Sequence, residues 1–121
     1  MTARVVTGEK RMSKKRTYSK FAKEALILLG QRIRLARKER RMSEKDLSAR
    51  VGIARSTLQK IERGDPVVDI GLVFEAATIT GVPLFEPDAT SLAPQIAQVR
   101  DKIALLPAYI RKPKTELNDD F

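Results

Sequence analysis

The stretch SEKDLSARVGIARSTLQKIERG, Ser43 to Gly64, constrains the fold more than any other part of the chain. Ser43 is a good helix N-cap, and Asp46 three residues later can return a bond to the backbone, which is a capping box. Leu47 and Val51 then share one side of a short helix at a spacing of four. Gly52 follows at once, at the place where a left-handed residue ends a helix and glycine adopts that conformation most easily. Ile53 is the apolar residue of the turn and is expected in the core. A second helix is predicted to start near Arg55, with Ala54, Leu58 and Ile61 within about 60° of one another as its buried stripe. Two short helices joined by a tight glycine turn point to an all-α fold.

The flanking sequence supplies further helices. Phe21, Ala25, Leu29, Ile33 and Ala36 follow three- and four-residue spacing, which predicts a helix from about Ser19 or Lys20 to Arg40 with these residues facing the core. Gly64-Asp65-Pro66 is a turn signal. Asp69 is placed to cap a helix containing Leu72, Val73, Ala76, Ala77 and Ile79, which Gly81 ends and Pro83 prevents from resuming. From Ser91 a separate helix is expected, with Pro94 tolerated in its first turn and Pro107 as its stop. Leu92, Ile96, Val99, Ile103 and Leu106 repeat at spacings of four and three and make a narrow apolar seam. That seam either packs back onto the same domain or joins two copies. The expected layout is a basic arm over 1–18, a helical domain over 19–86, the amphipathic helix over 91–106 and an extended tail over 107–121. The arm reads either as a solubilising tail or as a segment that follows phosphates or enters a minor groove. Phe121, after Asp119 and Asp120, reads either as a frayed terminus or as an anchor for another protein.

Composition narrows the chemistry. The chain has no Cys and no His among its 121 residues, which removes disulfides, thiolate metal sites, the commonest general base and nearly all zinc sites. No enzyme, cofactor or metal role is expected, nor a small-molecule ligand. The longest apolar run, Ala25 to Leu29, is far short of a membrane span, and a cytoplasmic location is the expectation. The charge is unevenly placed. Residues 1–23 carry eight Lys/Arg against one Glu, residues 24–64 eleven against five acids, and residues 65–121 five against nine. Positive charge therefore coincides with the two short helices and the arm before them, as on a surface that binds a polyanion.

On the second short helix, Ser56, Gln59, Lys60 and Arg63 lie opposite the buried stripe, with Arg55 and Thr57 at the flanks. These side chains are hydrogen-bonding and basic together, and they follow a helix-turn pattern. A helix of this kind is laid along a major groove, where Arg pairs bidentately with guanine and Gln with adenine. The residues expected to read bases are Arg55, Ser56, Thr57, Gln59 and Lys60. Arg41, Ser43, Lys45 and Arg63 are expected on phosphates.

The segment Leu29 to Pro83, with LGQRIRLARKERRMSEKDL, VGIARSTLQKIERG and GVPLF, resembles the XRE (Cro-type) helix-turn-helix family. The resemblance implies a lambda-repressor-like domain of four to five helices, here with an additional C-terminal helix and a flexible basic N-terminal arm. It also implies that Arg37 and Glu62 form a buried structural ion pair rather than contacting DNA. Two positions depart from the family pattern. Glu44 stands where a Gln usually touches phosphate, and Ala54 stands where a Ser or Thr usually caps the second helix, a loss of about 1 kcal/mol in its first turn. The run GDPVVDIGLVFEAATITGVPLFEPD, the KIALLP helix end and the acidic-plus-Phe tail resemble the HipB-type antitoxin branch. That likeness implies a homodimeric repressor of an inverted-repeat operator that also restrains a HipA-type kinase toxin. The alternative is a protein-interaction module in which DNA binding is secondary or lost.

Overall fold

A computed structural model describes residues 16–108. The arm up to Lys15 and the tail from Tyr109, Phe121 included, lie outside the described residues. Among the described residues there are five helices and no strand: α1 (Lys20–Glu39), α2 (Glu44–Val51), α3 (Arg55–Glu62), α4 (Ile70–Thr80) and α5 (Ala93–Ala104). The chain divides into two units, the first ending at Phe85 and the second starting at Glu86.

The first unit is built on a small core of Ile33, Leu47, Leu58, Ile61, Ala76, Ala77 and Val82, drawn from all four of its helices and the turn after α4. Several helix ends have a local cause. Ser19 caps α1 by accepting from the Ala22 N–H at 3.2 Å. At α2 the capping box is complete: Ser43 Oγ accepts from the Asp46 N–H and Asp46 Oδ2 from the Ser43 N–H, both at 3.0 Å. Gly52 closes α2 at φ 85°, a conformation costly to any residue with a Cβ, and reverses the chain into α3. Gly30 has a different reason. A Cβ there would stand 2.5 Å from the Ile61 carbonyl oxygen and 2.7 Å from that of Glu62, so α1 and α3 pack backbone to backbone.

Four expectations need correction. Phe21 is 80 % exposed and Ala25 is also exposed, so the periodic apolar pattern of α1 is covered only from Leu29 onward. Ala54 is the exposed N-cap of α3 rather than part of its buried stripe, which is Leu58 and Ile61, joined by Glu62. Asp69 stands at the N-cap of α4, but its side chain makes no capping bond; its carbonyl takes the Leu72 and Val73 N–H groups instead. The fourth concerns the second unit, where α5 is shorter than the seam that predicted it. Leu92 is its N-cap, and Leu105 and Leu106 turn their N–H groups to Lys102 and Ile103 three residues back, which tightens the final turn. Leu106 thus lies past the helix. Within α5 itself no residue is buried.

Candidate nucleic-acid interface

Beneath the surface of α3 lies one buried pair of opposite charges. Arg37 Nε donates to Glu62 Oε2 at 2.7 Å and Arg37 Nη2 to Glu62 Oε1 at 3.0 Å, a bidentate match of guanidinium and carboxylate. Arg37 Nη1 donates to the Met42 carbonyl at 3.0 Å, which holds the α1–α2 connection to the same guanidinium. Both side chains are almost wholly enclosed. The Arg37 pKa is pushed further above its ordinary value, chiefly by the hydrogen bonding it donates to the Glu62 carboxylate. Neither group is left for a ligand. The pair pins the end of α3 to α1, beside the close approach at Gly30.

With that end fixed, the outward side of α3 is set. At about 100° per residue, Ser56, Lys60 and Arg63 fall opposite Leu58 and Ile61, and all three are exposed. Arg63, the C-cap, lies 4.0 Å from Asp65 Oδ2. Thr57 is half-buried on one flank. On the other flank, Arg55 Nη2 and Gln59 Nε2 both donate to Glu44 Oε1, at 3.3 and 3.0 Å. Glu44 is the first residue of α2, and the sequence marks it only as a departure from the Gln that usually touches phosphate there. Its carboxyl is held below the ordinary carboxylate value by the Gln59 bond first and the Arg55 bond second. Its partners lie 11 and 15 residues further along, beyond any helical spacing, and only the angle between α2 and α3 brings them together.

The remaining candidates sit around the start of α2. Arg41 is exposed in the left-handed region at φ 57°, which turns the chain from α1 toward Ser43. Ser43 is occupied by its cap, its hydroxyl oxygen accepting from the Asp46 N–H. Lys45 is exposed one residue inside the helix. A cleft of about 470 Å³ between α1, α2 and α3 is lined by Gln31, Arg34, Glu44, Gln59 and Arg63 together with Ile27 and Glu62. Among the described residues no group of three or more acids could hold a metal ion, and no helix is long and apolar enough to cross a membrane.

Two short helices at the ends of a glycine turn, the second buried along one side and basic along the other, make a helix-turn-helix. Residues 33–86, a little under half of the chain, match the family described as Helix-turn-helix. This match supports the XRE family and a DNA-binding transcription regulator. No curated protein and no solved structure matches the chain.

Proposed function

We propose that the protein is a sequence-specific transcriptional repressor that binds its operator as a homodimer and serves as the antitoxin of a HipA-type kinase toxin in the cytoplasm. The observation that carries the repressor reading is the exposed ridge of Ser56, Lys60 and Arg63 on a helix whose other side is locked to α1 by Arg37, Glu62 and the backbone contact at Gly30. Base contacts fall to Ser56 and Lys60, with Arg55, Thr57 and Gln59 on the flanks. Phosphate contacts fall to Arg41, Ser43, Lys45 and Arg63, which position without specifying. Two copies would set their α3 helices about one DNA turn apart on an inverted repeat. The uncovered Ile96, Val99 and Ile103 of α5 favour that helix as the joint between copies.

A gel shift on the DNA upstream of the chain's own gene, against bulk competitor, tests the repressor. The expected result is a retarded complex that survives competitor. Loss of all preference at low salt overturns it. The antitoxin step rests on the HipB-type resemblance and is tested by capture of a HipA-type kinase. Removing residues 107–121 is expected to weaken capture and spare DNA affinity; equal capture by the trimmed chain makes the tail a bystander. One observation favours the alternative of a partner-binding module: Glu44 occupies two of the five expected base readers. The gel shift separates the two readings.

A further inference from the structure

Glu44 joins the two helices of the motif from outside the core. It is 30 % exposed, and Arg55 is 62 % exposed. A carboxylate can only accept, so the Gln59 amide must turn its nitrogen toward Glu44. The nitrogen already lies there, at 3.0 Å. Arg55 is paired to the same oxygen, so its charge is matched before any duplex arrives. The N-terminal end of α2, which would otherwise attract a phosphate, carries the anion as well.

We infer that Glu44 is a specificity-determining residue, which withdraws Arg55 and Gln59 from indiscriminate capture of phosphate and leaves Ser56 and Lys60 as the ridge that meets the bases. The inference rests on the DNA-binding reading above. Its physical content is a difference between two affinities. Sequence-independent attraction grows with the number of phosphates a protein neutralises, and each such contact adds about 0.9 to the slope of log affinity against log salt. A neutralised Arg55 and an anion at the approach to the backbone lower that background. Base contacts from Ser56 and Lys60 are left in place, so the ratio of specific to non-specific binding rises. Both partners favour the ionised form of the carboxylate and hold its pKa below the ordinary value.

The test uses the full chain and two labelled duplexes: one enriched from a random library by the unaltered protein, and one of shuffled sequence. Glu44→Gln is close in shape and sits on the surface. It is expected to bind the shuffled duplex about three- to tenfold more tightly at low salt, with a salt slope steeper by about 1. The ratio between the two duplexes is expected to fall by the same roughly three- to tenfold, because the base contacts of Ser56 and Lys60 are unchanged. In an Arg55→Ala/Gln59→Ala background the same change should leave the ratio almost unmoved, because Glu44 then has nothing to withdraw. A role confined to the first turn of α2 would change the melting temperature and neither binding readout, and that result overturns the inference. So does an equal fall in the ratio in the double-substituted background. A protein that enriches no duplex removes the DNA-binding reading as well, whereas one that enriches a duplex yet ignores Glu44→Gln removes only this inference.

Discussion

Arg37 and Glu62 place opposite charges in an enclosed space 25 residues apart along the chain. A pair of this kind is weak proof of stability as a unit, but losing one member is costly because the other is stranded without water. Glu62→Ala leaves the Arg37 guanidinium with only the Met42 carbonyl. A loss of about 3–5 kcal/mol is expected, measured by urea unfolding, while replacing both members by Met and Leu should cost far less. At Gly30, even one added methyl meets backbone rather than a side chain that can turn aside. Gly30→Ala is therefore expected to destabilise by about 1–3 kcal/mol in the same assay. Acidity acts elsewhere. Asp46 is held below its ordinary value of 3.8, first by the Ser43 backbone N–H and then by the Ser43 hydroxyl, with Arg50 and Lys45 adding a little; Glu44 is likewise held below 4.5. A lowered folded-state value means that the stabilisation is complete above the unfolded-state values and disappears as pH falls through the folded-state ones. With no histidine in the chain, the melting temperature should stay flat from about pH 7 to pH 5 and drop below about pH 4. Asp46→Asn should shrink that drop.

Among the elements, α3 carries the most direct test. Lys60→Ala or Ser56→Ala should reduce discrimination between operator and unrelated DNA by about 1–3 kcal/mol while the helical content stays the same, read by titration in solution and circular dichroism. The sequence was a good guide to where helices are and a poorer one to what covers them. The all-α architecture followed from short-range chemistry: Ser43 with Asp46, Gly52, Gly81 and the three- and four-residue spacings all act within one turn. Phe21 and Ala25 keep the same spacing as Leu29 and Ile33, yet among the described residues of the first unit no other helix reaches back to cover them, and periodicity carries no information about the length of a partner. Ala54 matched the angle of the buried stripe but stands one residue before the helix, where that angle no longer applies. Glu44 is a similar case. Its character was legible as a departure from the family pattern, but its bonds to Arg55 and Gln59 depend on a crossing geometry that no local spacing encodes.

For the whole molecule, charge and self-association are the properties that matter. The excess of Lys and Arg in the first half of the sequence should make DNA affinity steeply dependent on salt. If two copies cover about 6–10 phosphates, affinity should fall by about 10³–10⁵ between 50 and 200 mM salt. The apolar residues of α5 bear on the second property. Ile103 is 63 % exposed, and Ile103→Asp should convert a dimer to a monomer on a sizing column if α5 is the joint; a mutant that still elutes as a dimer places the joint elsewhere. The seating of α3 on α1 at Gly30 has a consequence for how such a protein can acquire a new target. On the proposed DNA-binding reading, so close a seat leaves little slack for tilting or sliding α3, and retargeting would proceed by exchanging side chains along its rim, one base preference at a time.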